Sequence, residues 1–171
     1  MPERLSKRLR SLDIRFSHTL SDRSNKVEIK IDILDSPTEK DQGVLNNRFS
    51  EYLRIQYPNL PPESEDKKFM VVAHDEVGDY IGAISCNCYW DGLEIDTFWV
   101  KESHRGRKVG SMLLEKAETF GANNGAVVAF LKTVDAKQFY ERHGYELYGV
   151  LEDRPIGTNL YHLKKRLIKH A

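Results

Sequence analysis

Residues 93–120, LEIDTFWVKESHRGRKVGSMLLEKAETF, combine a strand, a basic turn and a helix, and the rest of the chain is organised around them. Residues 93–100 alternate and are rich in β-forming side chains, which predicts a strand. A helix is predicted to begin near Lys108 and to end at Gly121 and the run at 123–125. Its largely apolar stripe is predicted to comprise Val109, Met112, Leu113, Lys116, Ala117 and Phe120.

The turn between this strand and this helix carries Arg105, Arg107 and Lys108. The first N–H groups of a helix have no intrahelical partners, so a strand that leads into a helix start forms a cradle for an anion. Basic side chains beside that cradle supply countercharge. The sequence therefore predicts a phosphate-binding turn.

Length and charge limit the class of protein. The chain has 171 residues, 40% of them hydrophobic and 30% charged, which indicates one soluble domain with a core. The 26 basic and 26 acidic side chains balance, which argues against general binding to nucleic acid or to a membrane surface. No apolar run reaches membrane-spanning length, and two cysteines suggest a reducing compartment, so we expect a cytoplasmic protein.

The N-terminal part divides into an extension and the start of a domain. Residues 1–25 are basic and serine-containing, and we expect a mobile or peripheral tail rather than an amphipathic helix or a targeting segment. Residues 27–34 alternate and predict a first strand. A helix-start signal at 35–39 predicts a helical segment that runs to about Gln56, and 58–66 reads as a linker. We therefore expect one domain at 26–171.

The remaining strands complete a mixed sheet. Residues 69–74, 80–90 and 93–100 predict an antiparallel meander, with turns at 76–79 and 91–92. The apolar run 126–131 predicts a buried strand parallel to 93–100, joined to it by a right-handed crossover through the central helix. A short helix at 135–143 and strands at 145–151 and 159–167 follow.

Two blocks in this order resemble the GNAT (Gcn5-related) N-acetyltransferases. Residues 105–110 read RGRKVG, similar to the family's Arg/Gln-x-x-Gly-x-Gly/Ala turn, with Gly110 as its second glycine and Lys108 where the first usually stands. We expect Lys108 to be right-handed at the helix start, where lysine is tolerated. Residues 139–145, FYERHGY, resemble the family's Phe-Tyr-x-x-x-Gly-Phe/Tyr motif.

The resemblance implies a fold and a donor. The expected fold is α+β, the GNAT acyl-CoA N-acyltransferase fold, with a seven-stranded, mostly antiparallel sheet, flanking helices and splayed fourth and fifth strands. Acetyl-CoA is the implied co-substrate, with its pyrophosphate on the amides of 106–111 and its pantetheine arm along the end of the fourth strand. The implied cofactor-binding residues are Phe98, Trp99, Val100, Arg105, Gly106, Arg107, Lys108, Val109, Gly110 and Ser111.

Acetyl transfer to an amine needs a base. A lysine-like amine has a pKa of about 10.4, so freeing it at pH 7 costs about 4.6 kcal/mol. Glu94 lies eleven residues before Arg105, where histone-acetylating members of the family carry their glutamate base, and Asp96 is the second candidate. Alternation places the two carboxylates on one face of the strand unless a bulge intervenes. The alternative is that both are ordinary solvent-facing carboxylates.

The reaction also needs an acid and a donor to the oxyanion. In the family the tyrosine of the second motif faces the CoA sulfur, which implies Tyr140 as general acid, although a core tyrosine is the alternative. A backbone N–H near Trp99 or Val100 is expected to meet the oxyanion. Asp135 stands where many relatives have a cofactor-contacting asparagine, and here it is expected only to cap the helix.

Cys86 and Cys88 point to the same face of a strand, a poor geometry for a disulfide, and we expect buried core residues and no metal site. The resemblance implies an acceptor pocket whose regions here hold Tyr52, Tyr57, Tyr89, Trp90, Asp91, Glu152, Asp153 and Arg154. Aromatic and acidic residues of this kind suit a small cationic or polar amine of the antibiotic-like or metabolite type. A protein lysine or N-terminal acetyltransferase, and a non-catalytic acyl-CoA-binding module, remain open. So does the choice between monomer and homodimer.

Overall fold

The computed structural model describes residues 29–167. The chain divides into two compact units, 1–55 and 56–171. In the first unit, helix α1 (Glu39–Gln56) begins as predicted, because Thr38 and Asp41 cap it reciprocally. The amide of Thr38 donates to Asp41 Oδ2 at 2.9 Å and the amide of Asp41 donates to Thr38 Oγ1 at 3.3 Å. Of the helices described, none has the length and apolar character needed to cross a membrane.

The prediction of a strand at 27–34 is wrong for residues 29–34, the part of it that the structure describes. Residues 29–34 belong to no strand, and the first two residues of the prediction lie outside the described range. Ile29, Ile31 and Ile33 are 65%, 76% and 90% exposed. An alternating segment forms a strand only where it pairs with the edge of another strand and buries one of its faces. Residues 29–34 do neither. The described part of the chain therefore has six strands instead of seven.

The second unit contains one mixed sheet with the expected α+β architecture. Its strands are β1 (Lys67–His74), β2 (Tyr80–Tyr89), β3 (Gly92–Val100), β4 (Val128–Thr133), β5 (Glu146–Glu152) and β6 (Asn159–Arg166). Their order is β1-β2-β3-β4-β6-β5. The predicted meander of β1, β2 and β3 is confirmed, as is the parallel pairing of β3 with β4 through helix α2 (Val109–Asn123). The short helix α3 (Lys137–Arg142) connects β4 to β5.

The buried face of α2 differs from the predicted stripe. Met112 is 62% exposed and Lys116 is exposed, whereas Leu114 is buried in the core instead. The sheet contributes alternate residues to the same core, among them Ile84, Cys86 and Cys88 from β2 and Leu93 and Ile95 from β3. Tertiary packing selects which of several apolar helix residues turn inward, so the helical period alone did not fix the face.

The sequence predicts that α2 stops at Gly121 and the run at 123–125. Gly121 lies inside the helix, whereas the stop at 123–125 is confirmed. The helix continues to Asn123 and ends where the side-chain amide of Asn124 donates to the carbonyl of Phe120 at 2.8 Å and Gly125 has a φ of +93°. A Cβ on Gly121 would lie 2.8 Å from Leu93 Cδ2. Gly121 is therefore a packing residue that lets the helix approach β3 closely.

Cys86 and Cys88 are free and buried, in agreement with the prediction that they are core residues. Burial, with smaller contributions from Cys88 and Asp96, raises the pKa of Cys86 to about 12. The thiol therefore stays protonated near neutral pH, and an unreactive packing role follows. Within residues 29–167, no group of His, Cys, Asp or Glu side chains is arranged to hold a metal ion.

Candidate active site

The site is built around a gap between β3 and β4. The two strands pair only from Gly92 with Val128 to Ile95 with Leu131, and beyond Ile95 no described strand pairs with β3 on this side. The register between β2 and β3 shifts at the same place, where Ile95 pairs with Cys86, Thr97 pairs with Ser85, and Asp96 is the extra residue. A bulge bends and twists a strand, so it explains why β3 leaves β4 here. The expected splay of these two strands is confirmed.

The open edge of β3 presents backbone groups to the gap. The amide of Lys101 donates to the carbonyl of Ile81 at 2.9 Å, so residue 101 faces β2. Successive backbone amides of a strand alternate in direction, which directs Trp99 toward β2 and Phe98 and Val100 toward the gap. Of the two predicted oxyanion donors, only Val100 therefore faces the gap.

The turn after β3 forms the predicted cradle. Within the described chain, no residue accepts a hydrogen bond from the amides of 106–111, while the carbonyl of Lys108 accepts from Met112 at 3.0 Å. Arg105, Arg107 and Lys108 are all exposed around these amides. Arg105 also braces the turn, because its Nε donates to the carbonyl of Val100 at 3.1 Å. Free donors and basic side chains in one place suit a phosphate group.

Lys108 is left-handed, which overturns the expectation of a right-handed helix start. Its φ is 64° and its ψ is 3°, and it is the residue immediately before α2. For a residue with a Cβ this conformation costs about 1–2 kcal/mol, which glycine would avoid. The chain therefore pays a conformational cost at the position where the resembling family usually has glycine.

A histidine joins the cradle to α3. His143 Nδ1 lies 2.8 Å from the carbonyl of Phe139, so this nitrogen carries the proton, and Nε2 lies 2.8 Å from the hydroxyl oxygen of Ser111. In this tautomer Nε2 accepts a hydrogen bond from the Ser111 hydroxyl. The sequence did not indicate this contact, since His143 and Ser111 are 32 residues apart and only the crossover of the sheet brings them together.

Glu94 is anchored from both neighbouring strands. Tyr89 Oη on β2 donates to Glu94 Oε2 at 2.8 Å, and Lys132 Nζ on β4 lies 3.8 Å from Glu94 Oε1. The Glu94 side chain is only 20% exposed. Burial, followed by the hydrogen bond to Glu94 and its charge, raises the pKa of Tyr89 to about 12. Spacing along the chain did not predict that Tyr89 and Lys132 flank this carboxylate.

Asp96 occupies the bulge and has no hydrogen-bond or ion-pair partner within the described residues. Desolvation raises the pKa of its carboxyl, the charge of Glu94 raises it further, and Lys132 and Lys68 oppose both effects. The bulge, which the sequence allowed but did not require, is present at Asp96. The two candidate carboxylates nevertheless remain electrostatically coupled.

Tyr140 lies in the core next to the open part of β3. It is 4% exposed, and its ring centroid is 6.3 Å from that of Phe98 and 5.5 Å from that of Tyr145. Burial raises the pKa of its phenol, and the smaller effects of Cys86 and Asp135 act in the same direction. The hydroxyl therefore stays protonated at neutral pH, as a proton donor must.

Asp135 does not cap α3. The helix begins after Ala136, whose amide donates to Thr133 Oγ1 at 3.1 Å. This hydrogen bond holds the residue before α3, and no side chain caps the helix, because the helix begins one residue later than the sequence suggested.

The residues expected to meet the acceptor are only partly brought together. Tyr57, Trp90 and Asp91 line one open cleft of about 400 Å³ with the proline-rich segment before β1. Trp90 packs edge-on against Tyr89 with ring centroids 5.7 Å apart, and so connects the cleft to the residue that binds Glu94. Glu152, the last residue of β5, and Asp153 and Arg154, which follow it, do not line this cleft.

Comparison with known proteins agrees with this geometry. Residues 65–147 match a family model described as an acetyltransferase (GNAT) domain. The chain is 31% identical over 102 residues to blasticidin-S acetyltransferase of Streptomyces morookaense, an alignment that covers 58% of this chain and 75% of the relative.

Solved structures share the fold. An acetyltransferase from Bacillus cereus superimposes with a TM-score of 0.68 at 27% identity, covering 79% of this chain and 97% of that one. An aminoglycoside 6'-N-acetyltransferase complexed with coenzyme A superimposes with a TM-score of 0.56 at 21% identity, covering 80% and 98%. With the two sequence motifs and the splayed strands, these matches show that the chain belongs to the GNAT acetyltransferase family and is an acetyltransferase.

Proposed function

We propose that the protein transfers an acetyl group from acetyl-CoA directly to a primary amine of a small molecule of the antibiotic-like or metabolite type. The observation that carries this proposal is the gap beyond Ile95. The turn that follows β3 carries amides without acceptors, and Glu94 and Asp96 lie on β3 where the gap begins, one before and one after Ile95. An acyl carrier and a proton acceptor are thus served by one opening in the sheet.

The chain has groups that fit the carrier. The amides of 106–111 and the side chains of Arg105, Arg107 and Lys108 would hold its diphosphate, and the edge residues Phe98 and Val100 would pair with its amide-containing arm. A Cβ on Gly110 would lie 3.5 Å from the ring of Phe139, so this position faces the aromatic core below the cradle. When bound, acetyl-CoA supplies an acetyl group activated as a thioester.

The residues of the chain then handle charge and protons. A carboxylate, Glu94 or Asp96, takes a proton from the acceptor ammonium, and the freed nitrogen lone pair forms the C–N bond as the C–S bond of the thioester breaks. Tyr140 donates its proton to the departing thiolate, the acylated nitrogen loses its second proton to solvent, and Tyr140 is reprotonated from solvent. The amide of Val100 donates to the acyl oxygen as negative charge develops there. No covalent link to the protein is needed.

The acceptor class rests on the cleft and on relatedness. Tyr57, Trp90 and Asp91 combine aromatic faces with a carboxylate, a set that attracts cationic amines. The relative that is 31% identical is named for the acetylation of blasticidin S. Both observations support a small cationic acceptor over a protein lysine or N-terminus.

The test is a screen of acetyl-CoA against a panel of amines, with product detected by mass. The panel contains cationic antibiotics, small metabolite amines, and peptides with a free lysine or N-terminus. Transfer to a small cationic amine supports the proposal. Preferred transfer to peptides favours a protein acetyltransferase. Heat-stabilisation by acetyl-CoA without transfer to any amine favours a binding module, and neither result would be compatible with the proposal.

A further inference from the structure

Two carboxylates lie on β3 where the gap begins, one before and one after Ile95, but their surroundings differ. Both oxygens of Glu94 have partners, the Tyr89 hydroxyl at 2.8 Å and the Lys132 ammonium at 3.8 Å. These partners stand on the two strands that flank β3, and the Glu94 side chain is mostly buried between them. A side chain held from two sides is fixed in position, and it must disturb these contacts to follow a substrate.

Asp96 is in the opposite situation. It is the extra residue of the bulge at the point where β3 leaves β4, and it is exposed. Its carboxylate has no hydrogen-bond or ion-pair partner among residues 29–167. It can therefore reach an acceptor in the gap and exchange its proton with solvent afterwards.

The titratable groups around Asp96 come from four strands. Glu94 lies on its own strand, Lys132 on β4, Lys68 on β1, and Tyr89 and Cys86 on β2. Burial and Glu94 raise the pKa of Asp96, while the two lysines lower it. Because burial and Glu94 prevail, the Asp96 carboxylate is a stronger base than a solvated aspartate, which reduces the pKa difference from an amine.

We propose that Tyr89 and Lys132 hold Glu94 as a fixed carboxylate, and that Asp96, unanchored at the bulge, takes the proton from the acceptor amine. This assignment rests on the function proposed above. In the step, an N–H bond of the ammonium breaks, its electron pair stays on nitrogen, and the proton joins a carboxylate oxygen of Asp96. The proton then leaves to solvent. Tyr89 and Lys132 are positioning residues, since they act through Glu94.

The experiment measures kcat/KM against pH for the wild type and for Asp96→Asn, Glu94→Gln and Tyr89→Phe, with the best acceptor from the amine panel. Asp96→Asn is expected to abolish the acidic limb of the profile and to lower kcat/KM about 10²–10⁴-fold. Glu94→Gln is expected to keep this limb but to move it to lower pH, because a negative neighbour of Asp96 is gone. Tyr89→Phe is expected to keep the limb and to change kcat/KM less than tenfold.

A second acceptor separates base catalysis from misfolding. An amine whose pKa lies below the assay pH arrives neutral, so it is expected to be acetylated by Asp96→Asn at close to the wild-type rate. An unchanged limb in Asp96→Asn would overturn the assignment, as would loss of the limb in Glu94→Gln or a failure of the low-pKa amine to rescue Asp96→Asn. Absence of transfer by the wild type would instead count against the proposed function itself.

Discussion

His143 Nε2 and Ser111 Oγ lie 2.8 Å apart and tie the end of α3 to the first turn of α2. One of these helices carries Tyr140 and the other supplies the amides of the cradle. The ring of His143 also packs against Phe139, with centroids 4.4 Å apart. The helix that carries Tyr140, the proposed proton donor, is therefore connected directly to the first turn of the helix that supplies the cradle amides.

We predict an energetic coupling between Ser111 and His143. A double-mutant cycle of Ser111→Ala and His143→Phe, measured by urea unfolding, is expected to give a coupling of about 0.5–1.5 kcal/mol, since both variants remove the same hydrogen bond. Thr119→Ala is the matched control, because the Thr119 hydroxyl bonds within α2 to the carbonyl of Glu115. Its cycle with His143→Phe should be additive. Additivity for Ser111 as well would show that the contact has no energetic role.

A second prediction concerns the left-handed Lys108. Glycine adopts its φ of 64° without the cost of about 1–2 kcal/mol that a Cβ imposes, but it adds about 0.5–1 kcal/mol of unfolded-state freedom. Lys108→Gly is therefore expected to raise the free energy of unfolding by about 0.5–1 kcal/mol. Lys116→Gly, exposed inside the same helix, is expected to lower it by about 1 kcal/mol. A lower free energy of unfolding in Lys108→Gly would show that the left-handed conformation of Lys108 does not destabilise the protein.

Tests of acetyl-CoA affinity separate the two roles of Lys108. Lys108→Ala keeps the Cβ and removes the charge, whereas Lys108→Gly removes both. If the ammonium meets a phosphate, both variants weaken acetyl-CoA binding in titration calorimetry, and the difference from the wild type shrinks as salt is added. Equal affinity in all three proteins would indicate that the backbone amides alone bind the carrier.

The central strand, turn and helix could be predicted from the sequence because each has a local cause. Alternation defines β3, and unpartnered amides at a helix start define the cradle. The two glycine-containing motifs at 105–110 and 139–145 place the elements in a known order. Residues 93–100 and the helix near 109 were accordingly located to within one residue.

Long-range contacts decided what the sequence could not show. The segment 29–34 alternates like a strand yet belongs to none, because pairing depends on an available edge. Lys108 has the φ that the turn requires, and a residue type alone does not reveal this. The partners of Glu94 stand on other strands, so their identity depends on the register and on the bulge at Asp96. Which carboxylate acts was undecidable from spacing for the same reason.

Tyr140 is predicted to matter for catalysis and little for packing. Tyr140→Phe keeps the buried ring and removes the hydroxyl, so kcat is expected to fall about 10²–10⁴-fold with a similar melting temperature. Tyr145→Phe is the control, since Tyr145 is equally buried and its ring lies 5.5 Å from that of Tyr140. It should leave kcat within a few-fold of the wild type. Equal losses in both variants would assign Tyr140 to the core alone.

Stability should depend on pH through Asp96. Its pKa is raised in the folded state, so the folded protein binds this proton more tightly than the unfolded chain does. Stability from this group is complete below the unfolded pKa of about 3.9 and is lost as pH rises through the folded pKa. Asp96→Asn is therefore expected to raise the melting temperature at pH 7 and to have little effect near pH 3.5. An equal rise in melting temperature at pH 7 and near pH 3.5 would show that the protonation of Asp96 is not linked to folding.

Close contact between α2 and β3 leads to a last prediction. A methyl group on Gly121 would lie 2.8 Å from Leu93 Cδ2, and Leu93 is fully buried, so one of the two elements must move. Gly121→Ala is expected to destabilise the fold by about 1–3 kcal/mol in urea unfolding. Gly43→Ala, inside α1 where a Cβ meets no described atom within 4 Å, is expected to stabilise by about 0.5–1 kcal/mol. The same substitution should affect activity. Because Leu93 precedes Glu94, Gly121→Ala should also lower kcat/KM, whereas Gly43→Ala should not. If the two variants behaved alike in both measurements, the close approach of α2 to β3 would not be what positions the carboxylates.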